Sequence, residues 1–129
     1  MALTSFAAVQ QFLNDFVHNK SINLTGSPHA AFWNTMTYDD FIAAGENGQG
    51  NVPGVQDQNG NPLPILNKIN GKYDGPSSNI VMALAGDPPL FTKNDQNAPI
   101  GQMPYPNGPY MSPAQIQEIS DWISAQCPQ

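Results

Sequence analysis

The sequence predicts a mainly α fold, a small helical domain with long Pro/Gly-rich loops and one short β-hairpin. Three observations carry this expectation. Apolar residues recur at helical spacing in separate stretches, and capping residues stand where those stretches open. Thirteen prolines and 11 glycines in 129 residues leave long connections without periodicity between them. Finally, Asn59-Gly60 stands between extended residues in "VQDQNGNPLPIL", the turn signal of a hairpin.

The first helix is expected from Ser5 to Val17, with Phe6, Val9, Phe12, Leu13, Phe16 and Val17 on one face and Thr4 or Ser5 as its cap. Gly26 and Pro28 then force a turn. A short second helix is expected over Tyr38–Ala44, with Thr37 as cap, Asp39 and Asp40 near the positive end of the helix dipole, and Gly45 after the last turn. The stretch 45–76 is expected to hold no helix. Within it, Asp57, Asn59 and Asn61 superficially resemble a calcium loop, but Gly60 falls at the wrong offset and no carboxylate closes the loop, so a turn is expected. A third helix, capped by Ser77 or Ser78, carries Ile80, Val81, Met82 and Leu84 and ends at Gly86. A proline-rich loop leads to the clearest helix start in the chain: Ser112 as cap, Pro113 in the first turn, and Gln115 completing a capping box. Ile116, Ile119, Trp122 and Ile123 follow as one apolar stripe.

At 13.9 kDa, with 40% hydrophobic residues, the chain is expected to form one domain, residues 1–129, around one core. Its formal net charge of −6, with only four basic residues, supplies no stripe that could displace phosphate counterions or dock on anionic lipid. Nucleic-acid and membrane partners are therefore not expected. The single cysteine, Cys127, excludes an intramolecular disulfide and reads as a small hydrophobe at a helix end. Without a cationic, apolar N-terminal signal, the chain is expected to be cytoplasmic unless a leader has been removed.

The order of these parts resembles a class I cytochrome c domain. The match lies in "SSNIVMALAG", then "MP", then "MSPAQIQEISDWISAQCP", and covers mainly the last 55 or so residues. In that family the haem is attached through CxxCH, whose histidine is one axial ligand, and a methionine of a later loop is the other. Here the equivalent segment is "TGSPH": Thr25 and Pro28 stand at the two cysteine positions and His29 at the histidine position. Met103 matches the axial methionine, and Pro53 in "NVPG" a family proline beside the histidine. The resemblance thus implies retained ligand positions and degenerate attachment positions.

Two functional readings follow. The first is a haem-less cytochrome c-like domain, without cofactor or metal, acting as a non-catalytic binding or accessory module for a protein partner or small ligand, presumed monomeric. The alternative is an electron-transfer protein binding haem non-covalently through His29 and Met103. A further ligand-binding version uses Tyr105 and Tyr110 of "GQMPYPNGPYM" as contacts for a small apolar or sugar-like molecule. Trp33, Trp122, Phe32 and Tyr105 read first as core, Met103 as a pocket filler and His18 as a charge near a helix C-terminus. No nucleophile elbow, metalloprotease motif or phosphate loop is present, and adjacent Asp39 and Asp40 do not share a helix face, so no enzyme is expected.

Overall fold

Helix α1 runs over Phe6–Asn19, two residues past the stretch expected from the sequence. Ser5 caps it through Ala8 N–H (3.0 Å), and Phe6, Val9, Leu13 and Phe16 turn inward. The computed structural model describes residues 3–22, 31–57, 59–86, 91–92, 100–101, 103 and 109–129. Past Asn19, Ser21 takes a left-handed conformation (φ 53°), which lets Ile22 N–H reach Val17 O (2.9 Å) and Ser21 N–H reach His18 O (3.1 Å). This Schellman closure satisfies the end carbonyls without the glycine that would have announced it.

Two short helices follow, α2 (Phe32–Thr35) and α3 (Tyr38–Phe41). The second starts where expected, with Thr37 Oγ1 accepting from Asp40 N–H (3.2 Å), but it stops early because the chain bends through a turn in which Ala44 has φ 55°. A 3-10 turn at Glu46–Gly48 leads into β1 (Asn51–Gln56), which pairs antiparallel with β2 (Pro62–Pro64). This is the hairpin expected around Asn59-Gly60. A second hairpin, β3 (Asn67–Ile69) with β4 (Lys72–Asp74), was not expected, nor was the parallel pair β5 (Phe91–Thr92) with β6 (Ile100–Gly101). Helices α4 (Asn79–Ala85) and α5 (Pro113–Ser124) complete the order.

The fold class is accordingly mixed α/β, and the expectation of a mainly α domain is corrected. The reason lies in backbone hydrogen bonding. The Pro- and Gly-rich stretches carry amides and carbonyls that need partners where the chain is packed, and short ladders supply them even where side-chain alternation is weak. The stretch after β2 is also more buried than its composition suggested: Leu63, Ile65 and Leu66 are core residues. Ile65 is held from both sides, its N–H on Gly50 O (2.8 Å) and its carbonyl on Ile80 N–H (3.1 Å), while Asn79 donates its side-chain amide to Pro64 O (2.8 Å).

The core is an aromatic cluster where α1, α2, α3 and α5 meet. Phe6 lies 5.1 Å from Phe41, 5.6 Å from Tyr38 and 6.4 Å from Trp122 between ring centroids; Phe32 and Phe41 stack at 6.3 Å. Such pairs add to area burial, which alone is worth about 1.5–3 kcal/mol for a fully buried large side chain. Trp122 donates its indole N–H to Pro128 O (3.0 Å), and Tyr38 O–H donates to Cys127 O, so the chain end closes over the cluster.

The β4–α5 contact is closer still. Gly75 donates its N–H to Ser124 Oγ (2.9 Å) and lies on the backbone of α5 at Ser120. Gln126 then copies a strand partner, accepting from Tyr73 N–H (3.0 Å) and donating to Tyr73 O (3.1 Å). The capping box at Ser112 and Gln115 is present in both directions (3.2 and 2.9 Å).

Candidate functional site

Of the residues singled out by the cytochrome resemblance, only Met103 and Pro53 are among the described ones. Thr25, Pro28 and His29 lie outside the described residues, as does Tyr105. Met103 is described: it is partly buried, packs against the hydrophobic core, and its N–H donates to Ala83 O (2.8 Å) behind α4. Pro53 is exposed within β1. Tyr110 is partly buried. Trp33, Trp122 and Phe32 are core residues, and Cys127 is fully buried at the end of α5, as expected of a small hydrophobe. Among the described residues, rings fill the space between α1, α2, α3 and α5, and Met103 packs on the same core.

A cavity of about 560 Å³ opens instead beside the C-terminal half of α1. One wall is the row Asn14, Val17, His18 and Ser21, and the other is Ala31, Trp33 and Asn34, with Ile22 between them. The sequence joins these walls through residues 23–30. Asn14, Val17 and His18 share a face of α1 by their i, i+3, i+4 spacing, and Ser21 joins them from the left-handed turn beyond the helix. Because three of these four residues are polar, the row carries no apolar signature and was not singled out from the sequence.

Amides organise the cavity. Asn14 and Asn34 bond reciprocally, each side-chain NH₂ donating to the other's Oδ1 at 2.8 Å. Asn14 Oδ1 also accepts the Trp33 indole N–H at 2.7 Å, and Gln10 donates its side-chain amide to Trp33 O at 2.7 Å. The pair therefore locks α2 on α1 and holds Asn34, itself exposed, at the rim beside apolar Val17, Ile22 and Ala31. His18 is exposed at the same rim, and its backbone carbonyl serves the α1 closure. The arrangement offers neutral donors and acceptors around a partly apolar floor, the usual chemistry of small-ligand binding.

The titratable groups with altered proton affinity lie elsewhere and serve the fold. Burial pushes the Cys127 thiol up to about 12. Burial also raises the phenols of Tyr38 and Tyr73; Tyr73 O–H donates to Ile42 O at 2.5 Å. Lys68 lies 3.1 Å from Glu46 and 4.8 Å from the Tyr73 ring centre, and its bond to Glu46 raises its proton affinity. Asp57 is held below the usual carboxylate range, first by the Asn61 N–H and then by the Asn59 N–H. Its Oδ1 accepts from both (2.9 and 2.8 Å), so the apparent calcium loop is an Asx-type turn.

The chain matches no protein-family model, no curated protein and no solved structure with which it was compared. Among the described residues, no helix is long and apolar enough to cross a membrane.

Proposed function

We propose that the chain is a non-catalytic binding or accessory module, cytochrome c-like in its C-terminal pattern and without haem. The observation that carries this reading is the filled interior. Phe6, Phe32, Phe41 and Trp122 contact one another between the helices, with neighbouring centroids 5.1–6.4 Å apart, and Met103 packs on the same core. The sequence adds support, since Thr25 and Pro28 replace the thiols that would form thioether bonds. Helices α4 and α5, which carry the resemblance, form at the expected capping residues. Binding is placed at the cavity beside α1, where the Asn14–Asn34 pair presents preorganised amides next to Val17 and Ile22. A neutral small molecule with both polar and apolar faces fits that lining.

An absorption spectrum of the purified protein, before and after adding haemin, tests the haem-less part. The expected result is no Soret band and no change beyond free haemin. A Soret band that shifts on reduction and is lost in His29→Ala or Met103→Ala would replace this reading with electron transfer. The binding part is read by the emission of Trp33 during titration with neutral sugars and short aliphatic amides. A saturable change, abolished in Asn34→Ala but retained in Trp122→Phe, supports the cavity; no change with any probe removes it.

A further inference from the structure

Three Asn-Gly pairs fall within the described residues, Asn47-Gly48, Asn59-Gly60 and Asn70-Gly71, and all are exposed. An asparagine followed by glycine carries a reaction of its own. The glycine nitrogen, on losing its proton, attacks the asparagine Cγ, and ammonia leaves as a succinimide ring closes. Water then opens the ring at either carbonyl, giving aspartate or isoaspartate. No oxidant, reductant or enzyme enters the balance. Glycine favours the reaction because no side chain shields its nitrogen. The rate at each pair then depends on whether that nitrogen is bonded and on the charge around it.

At Asn59 the fold opposes the reaction. Gly60 N–H donates to Asp57 O (3.0 Å), and Asp57 Oδ1 grips Asn59 N–H and Asn61 N–H. Attack must break these bonds and build a nitrogen anion beside a carboxylate, which is unfavourable. At Asn47 the turn is closed by Gln49 N–H on Glu46 O (3.0 Å), while the Asn51 amide holds Gly48 O (3.3 Å). The neighbouring Glu46 carboxylate is paired with Lys68, so the charge beside this pair is largely neutralised. Asn70-Gly71 differs. It is the two-residue turn between β3 and β4, both residues left-handed (φ 54° and 80°), and the register ends at Ile69 with Lys72. Gly71 N–H has no hydrogen-bond acceptor among the described residues, and the neighbouring side chain in sequence is cationic Lys72. The hairpin is three residues a side, a length that opens locally with ease.

We propose that, among the three described Asn-Gly pairs, Asn70 is the principal site of spontaneous deamidation and isomerisation in the folded protein. Isoaspartate at this point adds a methylene to the main chain and disrupts the left-handed turn. It thereby displaces Lys72 and strains Tyr73, whose backbone is clasped by Gln126. The modification therefore reaches the β4–α5 contact as well as the exposed tip.

The test is peptide mapping by mass spectrometry, with isoaspartate detection, after incubating the whole protein at mildly alkaline pH, beside the same chain in urea. Conversion at Asn70 is expected to run about fivefold or more ahead of Asn59, the factor that the retained Gly60 N–H bond is worth, and ahead of Asn47, whose turn is held by the Gln49 and Asn51 bonds. In urea the three sites should converge. Conversion at Asn47 or Asn59 as fast as at Asn70 in the folded protein would overturn the proposal. So would full protection of Asn70 over a period in which the unfolded chain converts. Asn70→Ser should keep the hairpin and remove the fast phase; persistence of that phase in the variant also counts against Asn70.

Discussion

Gly75→Ala isolates the contact on which the second half of the fold depends. A Cβ built at residue 75 would lie 2.1 Å from the Ser120 carbonyl oxygen, 2.4 Å from its Oγ and 2.7 Å from its carbonyl carbon. Two of these three atoms are helix backbone and cannot swing away. Restoring ordinary contact distances of about 3.5 Å requires β4 and α5 to separate by more than about 1 Å. That movement also strains Gly75 N–H on Ser124 Oγ and the Gln126–Tyr73 clasp. Overpacking costs about 1–3 kcal/mol and each weakened hydrogen bond about 1 kcal/mol, while reduced freedom of the unfolded chain returns less than about 1 kcal/mol. The net expectation is a loss of about 3 kcal/mol, or about 10 °C in Tm for a chain of this length. The assay is thermal unfolding beside Gly60→Ala, where the added carbon meets open space and only the left-handed backbone (φ 81°) is penalised, at about 1–2 kcal/mol. Ser120→Gly in the Gly75→Ala background should not rescue, because the carbonyl remains. A Tm for Gly75→Ala equal to that of Gly60→Ala would refute the close approach of strand and helix.

Phe41→Ala removes the ring shared by Phe6, Phe32 and Trp122 and should cost about 3–5 kcal/mol by chemical denaturation. Ser112→Ala takes one half of the capping box and should cost about 1 kcal/mol, read from the same transition. Cys127 should resist a disulfide reagent in the folded protein and react at once in denaturant, since only the thiolate attacks and burial disfavours it. The same burial sets an alkaline limit: the unfolded thiol ionises near its ordinary value of 9.0 while the folded one waits until about 12. Stability contributed by the protonated thiol is complete below that range and falls as pH rises through it. A denaturant midpoint that stays flat across the interval would contradict the burial.

Helices α1, α4 and α5 were legible because each states its beginning chemically: Ser5, Ser78 and Ser112 stand ahead of apolar residues at helical spacing. The end of α4 at Gly86 was equally legible, but the ends of α1 and α5 were less so. Ser21 and Gln126 occupy left-handed positions usually given to glycine, and what compensates them is not local: Gln126 recovers its cost through bonds to Tyr73, far away in sequence. The β3–β4 hairpin had a signal in Asn70-Gly71, of the kind that revealed the first hairpin. It lay in the short run "LNKINGKYD", whose side chains do not alternate clearly between apolar and polar. Leu63, Ile65 and Leu66 were hidden for a related reason. Ile65 sits there with backbone partners from Gly50 and Ile80, which no periodicity encodes. The cavity beside α1 was missed because the amides of Asn14 and Asn34 acquire meaning only when α2 folds back on α1.

The two ends of α1 meet different fates, and this bears on where function sits. Its N-terminal end is locked: Phe6 contacts Phe41, Tyr38 and Trp122, and the chain's C-terminus closes over the same rings through Trp122 on Pro128 and Tyr38 on Cys127. Change there is paid in global stability. The C-terminal half borders the cavity, where Asn14 bonds both Asn34 of α2 and the Trp33 indole, and Asn34 is exposed. The exposed Asn34 arm of the pair contributes little net stability, because water would serve it nearly as well. A ligand amide or hydroxyl can therefore exchange into that pair at small cost to the fold, whereas no comparable exchange is open to the ring cluster. A rigid aromatic scaffold carrying an exchangeable polar rim is what a binding module requires. For that reason substitutions at Asn34 should separate binding from folding, and substitutions at Phe41 should not.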